Sequence, residues 1–509
     1  MVNFIANPVD FDFLYDLDLD QDVIRRLSLH LTMTYNGNDQ VYTSPYLKDR
    51  KPEVVLAQWD AIFDANKSRM NDILIDLEMS NRDKYGPRSI AASWPDRRSL
   101  TLDYFKDSGT QLKLLPIRKD KHHRPLRGIP VEHAIKHLKN DTNSGLPYYT
   151  RKGKVKDRLR SRFSSLLLRK DPCILFTRTQ EGGKTRTVWG FPIADTLNEM
   201  RYFFPLLEFQ KKLSWRSALH GPDKTNDALT TLIRRAVENN LSIISIDFSA
   251  YDATVGKELQ RHAFDYIKSL FQTGFKKDLE YIEERFNTIG LVSPDGVLKG
   301  SHGVPSGSTF TNEVDSIVQY IVAINSRCVP HDFIQVQGDD GVYALPADKI
   351  YEFFQYFKKS GLKLNEEKSY VSKDYAVYLQ NLYHNDYYDK KNSLIGGIYP
   401  VYRALNRILF QERWYDFEDF GLKGKEYYAI RTISILENCK YHPLFKELVH
   451  FVLKLDKYSL IFTDYGVKKY VEMLSSTQGT SGVLNNQYSD NVSGIKEFET
   501  VKLIKQHKF

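Results

Sequence analysis

The chain has 509 residues, of which 41% are hydrophobic; this excludes a disordered protein and leaves room for about three domains at ~150 residues each. Its 72 Lys and Arg exceed its 64 Asp and Glu by eight, an excess that permits a polyanionic partner without requiring one. Three scattered cysteines, Cys173, Cys328 and Cys439, are too few for a disulfide framework or a zinc site and fit a reducing compartment.

No apolar run approaches the ~18 residues of a membrane span, so no membrane association is expected. The first ten residues lack the basic start and long apolar core of a signal peptide. Charge is unevenly spread. Asp10, Asp12, Asp16, Asp18, Asp20 and Asp22 make the beginning acidic, whereas residues 113 to 186 are rich in Lys and Arg. Asp16-x-Asp18-x-Asp20 begins like a calcium loop, but Gln21 and Leu27 stand where Gly and Glu are needed, which rules it out.

From Val54 to Leu77 the apolar residues Leu56, Trp59, Ile62, Phe63, Ile73, Leu74 and Leu77 fall at helical spacing, which predicts one or two amphipathic helices. The basic region that follows is broken by Pro116, Pro125, Pro130 and Pro147. Gly183-Lys184-Thr185 invites a P-loop reading, but the first glycine of that motif would fall on Arg178. What remains is Arg178, Lys184 and Arg186. On an extended strand they could clamp a triphosphate, or form an ordinary solvated basic strand.

Residues 192 to 240 read as helical. Leu241 to Ile246 is a short apolar strand ending at Asp247, and a carboxylate there is costly unless a cation or metal pairs with it. Residues 258 to 288 read as helical, and Val292 to Gly307 as a loop. Ser306-Gly-Ser-Thr-Phe-Thr-Asn312 enters a helix whose apolar face is Val314, Ile317, Val318, Ile321 and Val322, with Thr311 or Asn312 at the N-cap. With Asp252, this loop holds the hydroxyls, amide and carboxylate that could hydrogen-bond a ribose 2′-OH; an ordinary cap is the alternative.

Next come two β-friendly runs flanking Gly338-Asp339-Asp340-Gly341, a hairpin signal in which Asp-Gly is the expected turn. Adjacent aspartates at a hairpin tip are either a solvated turn or half of a divalent-metal site. With Asp247 on a neighbouring strand, Asp339 and Asp340 would form a three-carboxylate cluster able to hold two metals. A helix over 348–360 stops at Gly361, residues 375 to 403 are strand-like, and 404 to about 475 look helical. The segment 475–509 reads as a polar tail, with Tyr488 and Phe498 as its only evident anchors; it could hang free, contact capsid or plug a cleft.

The order Asp247-x4-Asp252, Pro305-Ser-Gly leading to Thr311-Asn312, then Gly338-Asp-Asp resembles motifs A, B and C of the viral RNA-dependent RNA polymerases. Gly183-Lys-Thr-Arg186 resembles motif F, Thr142-Asn-Ser-Gly-Leu-Pro147 motif G, Gly361-Leu-Lys-Leu-Asn-Glu-Glu-Lys368 motif D, and Ile398 through Trp414 the approach to the thumb. The motifs are most similar to those of picobirnavirus enzymes and then to partitivirus enzymes, both with double-stranded RNA genomes. The resemblance implies an α+β fold shaped as a closed right hand, with an antiparallel palm sheet backed by helices over 313–326 and 348–360.

It also implies an organisation: 1–100 bridging fingers and thumb, 101–240 fingers, 241–257 palm, 258–300 fingers again, 301–385 palm, 386–474 thumb and 475–509 the tail. By the same resemblance, Asp247, Asp339 and Asp340 hold two Mg²⁺ ions, for which Mn²⁺ can substitute. Asp339 is expected to be the least replaceable of the hairpin pair, and Lys368 is the general acid. Arg178, Lys184 and Arg186 hold the triphosphate. Asp252, Ser306, Gly307, Thr311 and Asn312 bind the nucleotide, and Thr142, Ser144, Gly145 and Pro147 guide the template. Partners are RNA template, nascent strand, NTPs and a capsid protein, in the virion interior and host cytoplasm.

One departure is that Gln380 and Asn381 replace the basic pair with which picornavirus enzymes grip a primer, so primer-independent initiation is expected. A reverse transcriptase, and an idle RNA-binding protein keeping the fold, are the alternatives. Asp252 with Asn312 argues against the first, and the acidic trio against the second.

Overall fold

The computed structural model describes residues 11–45, 47–48, 51–106, 108–117, 122–414, 416–476 and 492–507. The described residues of the first hundred pack into separate cores. The Gln21–Asn36 helix buries Leu27 and Leu31 against Leu146, Ile174 and Val292. Strand β1 (Tyr42–Thr43) pairs antiparallel with Phe410–Gln411 near the C-terminal helices. The Pro52–Ala65 and Asp72–Arg82 helices put Val55, Trp59, Phe63 and Leu74 into the core formed by residues 382–504. Glu78, fully buried, accepts hydrogen bonds from the N–H groups of Val401 (2.7 Å) and Tyr402 (3.1 Å). Those two amides start the Val401–Leu409 helix and have no partner within it, so the carboxylate joins the two segments where the helix dipole favours a negative charge.

Strands β2 (Cys173–Thr179) and β3 (Thr185–Gly190) form an antiparallel hairpin in which Arg178 lies opposite Arg186. The Ile193–Gln210 and Pro222–Glu238 helices follow, then β4 (Ser242–Ile246), buried at all five positions. The Lys257–Leu270 and Lys276–Thr288 helices lead to β5 (Leu291–Ser293) and β6 (Gly296–Leu298). This last hairpin corrects the expected loop over 292–307: β5 pairs parallel with β2, which makes a second four-stranded sheet in the order β3-β2-β5-β6.

The palm sheet has the order β7-β8-β4-β9, wholly antiparallel, with β7 (Ile334–Gln337), β8 (Asp340–Leu345) and β9 (Tyr370–Ser372) around β4. Helices Thr311–Asn325 and Ile350–Lys359 back it, within a residue or two of the expected bounds. Val314, Ile317, Val318, Phe353 and Phe357 pack with Ile243, Ile244, Val336, Val342 and Tyr343 in one core. The alternation of β8 is hidden because both its faces are covered. Strands β10 (Tyr375–Tyr378) and β11 (Asn381–His384) make a separate hairpin.

The C-terminal helices Gly424–Glu437, Phe445–Leu455 and Asp464–Ser476 share their core with the tail. Here the expected polar tail is corrected: residues 492–507 are helical, and Ile495, Phe498, Val501 and Ile504 are buried against the helices preceding them. Glu437 accepts from Thr500 N–H (3.0 Å) and Thr500 Oγ1 (2.8 Å), fixing the start of the Glu499–His507 helix. Phe498 is thus a core residue, while Tyr488 lies outside the described residues.

Candidate active site

The β7–β8 hairpin turns two residues earlier than the Asp-Gly signal suggests. Gln337 pairs with Asp340, so Gly338 and Asp339 make the turn, and Gly338 carries the positive φ of +64°. Gly341 serves a different purpose. A Cβ there would sit 1.8 Å from Gln319 Oε1, so only glycine lets the Thr311–Asn325 helix come this close. From that helix, Gln319 Nε2 donates to the Gly338 carbonyl (2.9 Å), and Ser316 Oγ accepts from the Gly338 N–H (2.8 Å). Tyr343 OH donates to Gln319 Oε1 (2.7 Å), so the clamp is itself held. Ser316 and Gln319, three residues apart on one helical face, were not singled out from the sequence.

The register then sets the carboxylates. Ile246 of β4 is opposite Gly341, so Asp247 leaves the end of β4 beside Asp340, and Asp339 lies at the exposed hairpin tip. Burial, then the charges of Asp339 and Asp247, raise the Asp340 carboxyl to about 8. Asp247 is also raised, chiefly by burial, against the opposing pull of Lys368. A concentrated negative field on hard oxygen donors is what a divalent ion such as Mg²⁺ neutralises, so the trio fits the implied metal. Its donors are not the tightest group. Among the described residues, ligand atoms all within 4.8 Å of one another occur at Asp374, His384 and Asp386, where His384 Nδ1 already accepts the Asp386 N–H (3.1 Å).

Cations face the trio from two sides. Lys184 and Lys368 are exposed, lie close enough to repel each other, and both act electrostatically on Asp247. Partial desolvation at the cleft first, then the charges of Arg186 and Lys368, lower Lys184 although it reaches solvent. Arg186 acts on Asp252. Arg178 is directed elsewhere: its Nε is 3.5 Å from Glu412, which follows the Phe410–Gln411 strand. The 361–369 segment is tied to β4, since Asn365 N–H donates to the Asp247 carbonyl (2.9 Å) and Asp247 N–H donates to Ser369 Oγ (3.0 Å).

The predicted ribose group is only partly brought together. Ser306 Oγ donates to Asp252 Oδ2, and Tyr104 OH approaches Ser306 Oγ at 3.4 Å. Asn312 is turned away: its Oδ1 accepts from Arg216 Nη2 (3.0 Å). Thr311 begins the helix rather than capping it, and its Oγ1 donates to the Pro305 carbonyl (3.0 Å). Beside Asp252 stands Asp315 instead, wholly buried, with its carboxyl in hydrogen-bonding reach of Asp252 and held well above the usual carboxylate range by burial and by Asp252. Asp315 lies one helical turn beyond Thr311, a spacing that could have indicated it.

Below this loop is a buried ion pair the sequence did not reveal. Arg216, fully buried, donates to both oxygens of Glu313 (3.0 and 3.1 Å), to Asn312 and to Gln337 Oε1 (3.3 Å). It joins the start of the helix to the end of β7, the strand that leads into the turn bearing Asp339. In the 142–147 loop, Ser144 is buried and bonded within the loop, and a Cβ on Gly145 (φ +61°) would meet the Phe191 carbonyl at 2.3 Å. These two residues shape the loop; Thr142 and Pro147 remain partly accessible.

Residues 108–455 match the family model described as viral RNA-dependent RNA polymerase. The chain is 28% identical over 466 residues to the potential RNA-dependent RNA polymerase of a human picobirnavirus (strain Human/Thailand/Hy005102/-), covering 85% of each. It is 26% identical over 271 residues to the RNA-directed RNA polymerase of Cryptosporidium parvum virus 1 (strain KSU-1), covering 48% of this chain and 51% of that one. The crystal structure of an insertion-loop deletion mutant of a human picobirnavirus RNA-dependent RNA polymerase superposes with a TM-score of 0.78 at 25% identity, covering 95% of this chain and 97% of the other. Among the described residues no helix is long and apolar enough to cross a membrane. With six motifs in order along a right-hand fold and this family match over most of its length, the chain belongs to the viral RNA-dependent RNA polymerases.

Proposed function

We propose that the chain transcribes and replicates a double-stranded, segmented viral RNA genome by two-metal nucleotidyl transfer, starting without a primer. The observation that carries the chemistry is the β4–β8 register, which sets Asp247 beside Asp340 at the root of the tip bearing Asp339. Asp247 and Asp339 would be the principal ligands of two Mg²⁺ ions, with Asp340 assisting; Mn²⁺ can substitute. Bound there, the ions supply activation of the 3′-hydroxyl and neutralisation of the leaving pyrophosphate.

The chain's own groups do the rest. Lys184 and Arg186 bind and orient the triphosphate, while Arg178, paired with Glu412, is left out of that clamp. Lys368 holds the proton that passes from its Nζ to the departing pyrophosphate. Asp252 accepts from the ribose 2′-OH, Ser306 and Gly307 shape the loop around it, and Thr311 and Asn312 fix that loop to the helix and hairpin. Thr142, Ser144, Gly145 and Pro147 form the loop past which the template strand enters.

The genome type follows from the likeness of the motifs to picobirnavirus and partitivirus enzymes. Primer independence is supported by the β10–β11 tip, where Leu379 and Gln380 make the turn at positive φ and no basic pair is offered to a primer. A capsid protein as partner, and the virion interior and host cytoplasm as locations, accord with this role. The test is incorporation on a blunt RNA template with Mg²⁺ and no primer, comparing UTP with dTTP. Incorporation of UTP alone is expected. Strict need for an added primer would overturn the initiation mode, and equal use of dTTP the ribose reading.

A further inference from the structure

The loop from Ser306 to Thr311 lies against the Ile193–Gln210 helix, and one residue of that helix holds it. Glu199 is 3% exposed. One of its carboxylate oxygens accepts from Ser308 Oγ (2.7 Å) and the other from the Thr309 N–H (2.7 Å). Ser308 Oγ in turn accepts the Phe310 N–H (3.0 Å), so the carboxylate and the hydroxyl together occupy the polar groups of the bend. On the opposite side the Trp189 N–H donates to the Ser306 carbonyl (3.0 Å). Gly307, at φ +154°, lies so close that a Cβ would sit 2.0 Å from the Trp189 oxygen. The loop is therefore fixed by the fingers on two sides and ends, through Ser306 Oγ, on Asp252.

A carboxylate in such a place needs a reason. Burial pushes Glu199 up to about 7, against the lowering pull of its bonds to Ser308 and Thr309. The charged groups nearest it give no compensation: Asp195, one turn earlier on the same helix, is spent on Arg285 (2.8 and 3.0 Å), and on β2 the neighbour is the buried Cys173 thiol. No cation pairs with Glu199 among the described residues; its partners are the loop's own donors.

We propose that Glu199 is the positioning residue of the ribose-reading loop: its carboxylate fixes Ser308 and Thr309, and thereby sets Ser306 on Asp252 for nucleotide selection. This deepens the polymerase reading and rests on it. Glu199 touches no substrate. It acts through the loop, so its loss weakens selection of the nucleotide rather than the chemical step.

The experiment is steady-state incorporation of UTP and dTTP by wild type, Glu199→Gln, Ser308→Ala and the double variant, with far-UV circular dichroism on each. Glu199→Gln keeps the volume of the buried side chain, and Ser308→Ala breaks the same bond without altering the helix. Each single variant is expected to raise the KM for UTP on the order of tenfold, the scale of one bond to a charged group, and to narrow the UTP-over-dTTP preference at unchanged kcat. The double variant is expected to be little worse than either single one, as groups acting as a unit are. Wild-type KM and preference in either single variant, or a fall in kcat at unchanged KM, overturns the proposal while leaving the polymerase reading in place. A wild-type enzyme that incorporates nothing overturns both.

Discussion

Replacing Arg216 by Met tests how the site is held. Arg216 is fully buried and Glu313 is 1% exposed, so removing the guanidinium leaves a carboxylate with neither water nor a counter-ion. The two bonds at 3.0 and 3.1 Å are lost together, and Asn312 and Gln337 each lose a donor. Breaking one side of such a pair costs about 3–5 kcal/mol; the helix N-terminus beneath Glu313 recovers only about 0.5 kcal/mol of it. Arg216→Met is therefore expected to lose about 3–5 kcal/mol, read from urea midpoints by circular dichroism and by the fluorescence of Trp215, which stacks on Tyr320 beside the pair. Replacing both partners, Arg216→Met with Glu313→Leu, removes the stranded charge and is expected to restore most of that loss without restoring synthesis, because Gln337 and Asn312 stay untethered. A single variant within about 1 kcal/mol of wild type, or a double variant no more stable than the single, would show that Glu313 is not stranded without Arg216.

Other outcomes follow from the same geometry. Asp340 is raised to about 8, so between the unfolded value of about 4 and that point the folded chain binds the extra proton; without divalent ions, stability is fullest at the acid end and is lost as pH rises through 8. Thermal melts should show Mg²⁺ raising the Tm more at about pH 8.5 than at about pH 6, and Asp340→Asn abolishing the difference; an equal Mg²⁺ effect at both would contradict it. Gly307→Ala sets a Cβ against the Trp189 oxygen and is expected to reduce synthesis by at least tenfold at near-normal template affinity, read by incorporation and by fluorescence anisotropy. Deleting residues 492–509 removes Ile495, Phe498, Val501 and Ile504, uncovers the faces of the Gly424–Glu437 and Phe445–Leu455 helices they pack on, and should lower the Tm by several degrees; a chain of unchanged Tm would show that these residues are not core.

The parts legible in the sequence were those whose signal is local. The palm hairpin, the strand ending at Asp247 and the helix after Ser306 each show in a short window of alternating or helical spacing, and the order of the motifs carried the family. The turn was misplaced by two residues because Gly341 has a tertiary reason, the approach of Gln319, that mimics a turn signal. The β5–β6 hairpin was read as loop because three-residue strands have almost no period, and their identity comes from β2 alongside. Arg216 and Glu313 are 97 residues apart, as are no local signals, and Glu199 with Ser308 are likewise distant. In the tail, Ile495, Phe498, Val501 and Ile504 have helical spacing, but the polar run before them drew the whole segment into one reading.

On this reading, the palm carboxylates perform metal-dependent nucleotidyl transfer. That chemistry is tested most directly by template-directed UTP incorporation with Mg²⁺ for wild type and Asp339→Ala, with RNA affinity measured in parallel on the same preparations. Wild type should extend the product strand, and Asp339→Ala should synthesise nothing detectable while binding RNA as wild type does. Substantial synthesis by Asp339→Ala would show that the hairpin carboxylates do not carry the chemistry.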